Sequence, residues 1–150
     1  MSSSAEKLKV LYLCTGNSCR SQMAEGWTRH LKSNAIDADS AGVEPYAIDP
    51  RAVKFMAEVG IDISGQVSKH LDTLQGIEFD YVITLCDKAN QSCPVFPAKT
   101  KLLHVGFDDP PKLAAGAQTE EEAMVHYRRV RDELREFVEK LPQVLMEENQ

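Results

Sequence analysis

Val10-Leu11-Tyr12-Leu13-Cys14 runs directly into Thr15-Gly16-Asn17-Ser18 and then Cys19-Arg20-Ser21, and the reading of this stretch decides the fold. The first five residues are a compact apolar run rich in strand formers, and the next four are turn residues. Beyond them Met23, Trp27 and Leu31 recur every four residues while Glu25, Arg29 and Lys32 fall off that stripe, the pattern of an amphipathic helix. The order is buried strand, loop, helix. Outward from this unit, Ile36 to Ala41 reads as a second, weaker strand. Asp49 as N-cap, Pro50 at the first helical position and Gly60 as terminator frame a helix with Val53, Met56 and Val59 on its inner face. Tyr81 to Leu85 reads as a central strand, Cys86 to Pro97 as a polar, Pro-bearing stretch in which Asp87 to Ser92 is expected to be mobile, and Lys101 to Val105 as another strand. Thr119 and Glu122 make a capping box for a helix striped by Val130, Leu134, Phe137, Val138 and Leu141. Strands alternating with helices imply right-handed crossovers around a parallel sheet covered on both faces, an α/β three-layer sandwich.

The chain of 150 residues fits one domain, 1–150, with 1–7 and 146–150 expected to fray. At that length folding hides roughly two-thirds of the unfolded surface, so neither a metal nor a disulfide is needed for stability. Seventeen Lys and Arg against 23 Asp and Glu give a net charge of -6, which argues against a general binder of nucleic acid or anionic membranes. An anionic substrate therefore needs a local positive site. No apolar run approaches the roughly 18 residues of a membrane span, and Met1 to Lys9 followed by a short apolar stretch does not make a signal peptide. The expected location is the cytoplasm and the expected state a monomer. In that reducing compartment Cys14, Cys19, Cys86 and Cys93 read as catalytic, redox-active or metal-binding rather than as structural staples.

A loop entering a helix N-terminus aims several unsatisfied backbone N–H groups at one point, and the helix dipole adds partial positive charge, so Thr15, Gly16, Asn17, Ser18, Cys19 and Arg20 form a candidate oxyanion-binding loop. Gly16 lets the chain curl without a Cβ, Asn17 tolerates left-handed geometry, and Arg20 can clamp two oxygens with its planar fork. The same positive charge favours a thiolate at Cys14 over the thiol, making it a nucleophile at neutral pH. A hydrogen bond from Ser21 would stabilise the charged form further. The bland alternative makes Cys14 a buried strand residue and Arg20 a solvated helix start. The combination with Gly16, Asn17, Ser21 and the strand-to-helix setting outweighs it.

These residues resemble the Cys-x-Gly-Asn-x-Cys-Arg-Ser loop of the low-molecular-weight protein tyrosine phosphatases and of the arsenate reductases built on the same fold. The resemblance covers nearly the whole chain. It implies a four-stranded parallel sheet flanked by helices, with Cys14 as nucleophile, Arg20 as anion clamp and the loop amides as cradle. Gly106-Phe107-Asp108-Asp109-Pro110 extends it, since the family places a general-acid aspartate before a proline in a loop over the site, which maps to Asp109 rather than Asp108.

Electron counting separates the two activities. A phosphatase needs one cysteine, whereas reduction of arsenate to arsenite takes two electrons and so a second thiol, with a third able to move the disulfide outward by exchange. Cys86 follows a strand that ends at the same edge of a parallel sheet as Cys14, and Cys93 cannot reach Cys86 along a regular extended chain. Thr84-Leu85-Cys86, Cys93-Pro94 and the Asp-Pro segment resemble the thioredoxin-coupled arsenate reductases. That resemblance implies a Cys14 to Cys86 disulfide passed on as Cys86 to Cys93 and reduced by thioredoxin, with arsenate as substrate, phosphate or sulfate as mimics, and no bound cofactor or metal. Pro111-Lys112-Leu113 follow Asp109-Pro110 where tyrosine phosphatases of this fold often carry aromatic residues, so no aromatic wall is expected, although side phosphatase activity is. A phosphatase of the same family remains the alternative.

The potassium-binding acidic residue of some relatives falls at Lys69 here, which predicts no potassium requirement and leaves Glu25 and Ser40 with structural roles. Cys86, Cys93 and His104 could be drawn as zinc ligands, but they lack the close pairs of common zinc sites. Cys19 reads as a small packed residue, Trp27 as core, and His30, His70 and His126 as solvated. The Arg128, Arg129 and Arg131 cluster reads as a solvated helix face.

Overall fold

The computed structural model describes residues 7–91 and 93–147. Strands β1 (Leu8–Cys14), β2 (Ile36–Gly42), β3 (Tyr81–Thr84) and β4 (Lys101–His104) are all parallel and lie in the order β2-β1-β3-β4. The α-helices among the described residues are α1 (Arg20–Leu31), α2 (Pro50–Glu58), α3 (Asp87–Gln91), α4 (Pro110–Ala115), α5 (Glu120–Glu139) and α6 (Gln143–Glu147), with a short 3-10 helix at Leu71–Leu74. β1 pairs with β2 from Leu8 opposite Ile36 to Cys14 opposite Gly42, and with β3 from Val10 opposite Tyr81 to Leu13 opposite Thr84. From β1 the chain steps sideways to β2, then returns across β1 to β3 and β4. The strand order therefore reverses between β1 and β3, where open α/β sheets form their ligand crevice at the carboxyl ends of the strands.

β1 is central, and Val10, Leu11, Tyr12 and Leu13 are fully buried, which is why it reads as a continuous apolar run. Around α1 the burial is broader than its stripe: every residue from Ser21 to Thr28 is buried, Glu25 included, because β2, α2 and α5 all pack on it. Trp27 is core as expected, its Nε1 donating to the Arg131 carbonyl at 3.0 Å. Asp49 caps α2 by accepting from the Arg51 amide at 2.9 Å, and Pro50 opens the helix. Its buried face is Ala52, Phe55 and Met56, whereas Val53 and Val59 are only half-buried, one helical step round from the face expected. At α5, Thr119 accepts from the Glu122 amide as a capping box requires, but the Glu122 carboxylate reaches the Gln118 amide instead of that of Thr119.

Several expectations change. The stretch after Cys86 winds into α3 instead of remaining irregular. Arg131 is not on the solvated face: it is 8% exposed and donates to the Phe55 carbonyl and to Glu58, so it stitches α5 to α2. His126 Nδ1 is buried with no hydrogen-bond partner among the described residues, rather than solvated. Of the terminal residues expected to fray, 1–6 and 148–150 lie outside the described residues, while Met146 and Glu147 continue α6. Among the described residues no helix is long and apolar enough to cross a membrane.

Candidate active site

β1 ends at Cys14 and α1 begins at Arg20, so the loop between them sits at the sheet's switch point. Its carbonyls all point outward. Those of Cys14, Thr15, Gly16 and Ser18 accept from the amides of Val43, Glu44, Tyr46 and Asp49, that of Asn17 from Gln22 Nε2, and that of Cys19 from the Met23 amide. The N–H groups of residues 15–19 have no protein acceptor among the described residues, and the loop that carries them leads into the start of α1, where a helix N-terminus favours negative charge. Asn17 takes the left-handed conformation, φ 49°. A Cβ added at Gly16 would meet the outer atoms of the Tyr46 ring at 2.4 Å, and that exposed ring would have to swing aside. Gly42 is the strict requirement, because a Cβ there would lie 2.6 Å from the Thr15 carbonyl oxygen and 2.9 Å from the Asn17 nitrogen, both backbone atoms.

The buried Asn17 side chain sets the direction of a hydrogen-bond chain that ends on Cys14. Its Oδ1 accepts from the Lys69 amide at 2.8 Å, and a backbone N–H can only donate, so the other end of the side chain is the donor. That Nδ2 donates to Ser21 Oγ at 2.8 Å and to Ser40 Oγ at 3.0 Å. Each hydroxyl is left with its own hydrogen to give. Ser40 gives it to Glu25 Oε1 at 2.6 Å, and Ser21, 3.0 Å from Cys14 Sγ, gives it to the sulfur. A donated hydrogen bond favours the anionic sulfur. At the far end Glu25 also pairs with Arg29 at 2.7 Å, and burial raises its carboxyl above its ordinary value against the opposing pull of Ser40, Arg29 and Lys69. Glu25 and Ser40 thus serve the loop through Asn17, a link the sequence left at a structural role. Lys69 Nζ lies 3.2 Å from Asp39, its ammonium beside this acidic pair.

Arg20 is 11% exposed and is held from the opposite side of the crevice. It donates to the Phe107 carbonyl at 2.9 Å and lies 3.5 Å from Asp109 Oδ2. Asp109 occupies the N-cap place of α4 without a side-chain capping bond, leaving its carboxylate free to face Arg20. The loop is fixed on α5 by Phe107 against Phe137, with ring centroids 6.1 Å apart, and by Asp108 paired with Arg129 at 3.0 Å. Asp108 thus pairs with Arg129 while Asp109 faces Arg20, and both aspartates line the same crevice.

Cys86 is buried beside the loop, its Sγ 3.2 Å from Thr15 Oγ1. Arg20, Cys86 and Asp109 line one cavity of about 420 Å³, together with Lys112. Cys93, half-buried, lies beyond α3, and burial pushes its thiol up. All four cysteines are free thiols. Cys19, almost fully buried, is pushed well up, first by burial and then by Asp49. It packs as expected. Among the described residues no group of three His, Cys, Asp or Glu is placed to hold a metal ion, and the His104 nitrogens bond Thr84 and Asp87. An aromatic does stand at the site, contrary to the expectation drawn from Pro111-Lys112-Leu113. Tyr46, from the loop after β2, lies over Gly16, and its phenol is raised by burial and then by the negative charge of Asp109 and Cys14. The sequence held no local signal for it, since Tyr46 reaches the loop through β2.

A buried sulfur at the head of a loop of unbonded amides, with a guanidinium facing a carboxylate beside it, has the make-up of an oxyanion site of the phosphatase kind. The chain belongs to the family described as low molecular weight phosphotyrosine protein phosphatase, whose model matches residues 9–150. It is 50% identical over 129 residues to the arsenate reductase of Shouchella clausii, an alignment covering 84% of this chain and 89% of that protein. Among solved structures it is similar to an arsenate reductase in the phosphate-binding state, with TM-score 0.68 and 34% identity, covering 89% of this chain and 95% of that one. It is similar also to a thioredoxin-dependent arsenate reductase of Corynebacterium glutamicum, with TM-score 0.64 and 25% identity, covering 92% of this chain and 66% of that one.

Proposed function

We propose that the chain reduces arsenate to arsenite by a relay of three cysteines and is returned to its dithiol form by thioredoxin. The names of its relatives support arsenate as substrate, and the name of the Corynebacterium glutamicum neighbour supports thioredoxin. The observation that carries the reading is the place of Cys86. Leu13 pairs with Thr84 and its carbonyl accepts from the Leu85 amide at 2.9 Å, so the Cys86 backbone follows one residue past the lateral neighbour of Cys14. Continuing that register puts the two Cα atoms about 6 Å apart, inside the roughly 7 Å limit for a disulfide. A hydrolase of this fold has no use for a second thiol there.

In the proposed cycle arsenate settles on the loop amides and Arg20. The Cys14 thiolate, supported by Ser21, attacks arsenic, and Asp109 gives a proton to the departing oxygen, which leaves as water. Cys86 then attacks Cys14 Sγ: the S–As bond breaks, its electron pair stays on arsenic, arsenite departs, and a Cys14 to Cys86 disulfide forms. Cys93 attacks Cys86 in turn, freeing Cys14 and leaving a Cys86 to Cys93 disulfide for thioredoxin to reduce. No metal or bound cofactor takes part, and a cycle that returns to thiols belongs in the reducing cytoplasm. The Lys69 ammonium stands where a cation would balance Glu25 and Asp39, so the rate is not expected to rise specifically with potassium over sodium. The shared loop also permits slow aryl-phosphate hydrolysis, with Tyr46 offering a ring to the aryl group.

The test is arsenate-dependent NADPH oxidation in the presence of thioredoxin and its reductase. Turnover that disappears in Cys14→Ser and falls to one arsenite per chain in Cys93→Ala is expected. An aryl-phosphatase rate insensitive to Cys86→Ala and Cys93→Ala, with no arsenate-dependent NADPH loss, would assign the chain to hydrolysis instead.

A further inference from the structure

α3 lies between the two cysteines that have to meet in the last step of the proposed relay, and its fastenings are specific. Thr84 and His104 are lateral partners in β3 and β4. Thr84 Oγ1 lies 2.8 Å from His104 Nδ1 and 3.3 Å from Asn90 Oδ1, while His104 Nε2 lies 3.2 Å from Asp87 Oδ1. The first and fourth residues of the helix are thereby both tied to the sheet edge. On another side Lys88 pairs with Glu44 at 2.8 Å. Cys86 itself contributes, because its Sγ accepts from the Ala89 amide at 3.4 Å in the manner of a capping side chain.

This winding opposes the Cys86 to Cys93 disulfide. Even a continuous helix over the stretch sets residues 86 and 93 about 10 Å apart at 1.5 Å per residue, beyond the roughly 7 Å that a disulfide spans. α3 must therefore unwind, and it has to let go of His104 to do so. We propose that His104 is a positioning residue for the second thiol exchange: bridging Thr84 and Asp87, it holds α3 wound in the dithiol form and so governs how readily Cys93 reaches Cys86. The inference rests on the relay proposed above. The exchange is the balanced one already described, with the Cys93 thiolate attacking Cys86 Sγ and Cys14 leaving as thiolate. Bonding Cys86 to Cys14 also draws its sulfur from the Ala89 amide, so the first disulfide loosens the helix that the second must open. The clasp favours the dithiol form, and its loss makes the Cys86 to Cys93 disulfide harder to reduce.

The experiment follows arsenate-treated protein by rapid quench, alkylation and mass spectrometry, in wild type, His104→Ala and Asp87→Ala. The Asp87 side chain is 89% exposed, so its removal breaks the same clasp without disturbing the core. In both variants, conversion of the Cys14 to Cys86 species into the Cys86 to Cys93 species is expected to quicken about three- to tenfold. Formation of the first disulfide should change less than about twofold on the same grounds. The reduction potential of the Cys86 to Cys93 couple should move negative, a tenfold change in its equilibrium being about 30 mV. A merely structural role would not split the two steps in this way. Unchanged exchange rates and potential in both variants, with the wild type running the relay, overturn the role of His104 alone. A wild type that forms no Cys86 to Cys93 disulfide overturns the relay as well.

Discussion

Ser21→Ala removes the hydroxyl hydrogen that Cys14 receives. The Ser21 side chain is fully buried, 3.0 Å from the sulfur, and the orientation of Asn17 leaves it no other use for its proton. A hydrogen bond to a charged acceptor contributes about 1.5–3 kcal/mol. At about 1.36 kcal/mol per pH unit, the pH profile of thiolate-dependent alkylation at Cys14 should move up by about one to two pH units. The same change leaves one Asn17 N–H unpaired in a buried place, at a stability cost of about 1–3 kcal/mol, so the variant will also melt lower. The two effects separate when alkylation of Cys14 by iodoacetamide is timed in a Cys86→Ser, Cys93→Ser background at a temperature where circular dichroism shows the variant fully folded. An alkylation pH profile that superimposes on the parent's would show that Ser21 does not support the thiolate.

Gly42→Ala should cost the loop its shape, since neither the Thr15 carbonyl nor the Asn17 amide can yield to a Cβ; at about 1–3 kcal/mol for overpacking, phosphate affinity by titration calorimetry should drop at least about fivefold, and undiminished affinity would show that the loop adapts. Asp109→Asn should slow formation of the first arsenic adduct by about 10²- to 10⁴-fold without weakening phosphate binding, and a wild-type rate in rapid quench would move the acid elsewhere. Glu58 gives a pH signature. Hydrogen bonds from Arg128, then Arg131, hold its carboxyl at about 2 against an ordinary 4.5, so the stabilisation it brings is complete above 4.5 and is lost as pH falls toward 2. Glu58→Gln should therefore lower the urea midpoint at pH 6 and converge with wild type near pH 2; a constant difference across that range would contradict the assignment.

The anion loop was readable because its parts are contiguous: strand, turn residues, Arg20 and Ser21 lie in one run, and local pattern suffices to order them. What supports that loop was not, because it arrives through tertiary placement. Gly42, Tyr46 and the Lys69 amide reach it from β2 and the segments that follow, and nothing in their own neighbourhoods marks them. Ser40 and Glu25 were noticed only through resemblance, and their link to Cys14 depends on which way the Asn17 amide points. Periodicity found α1, α2 and α5 but misjudged what lies around them: Glu25 off the α1 stripe is buried beside β2, where Ser40 bonds it, and Arg131 turns inward to Phe55 and Glu58. α3 escaped because a helix of five residues is too short to display a period.

Thiol bookkeeping after a single exposure to arsenate tests the relay most directly. Alkylation and peptide mass spectrometry of the wild-type chain, without thioredoxin, should find Cys14 free and Cys86 joined to Cys93, and in Cys93→Ser should find Cys14 joined to Cys86. Recovery of Cys86 and Cys93 as alkylated thiols at every arsenate concentration, from protein that still hydrolyses an aryl phosphate, would contradict the account.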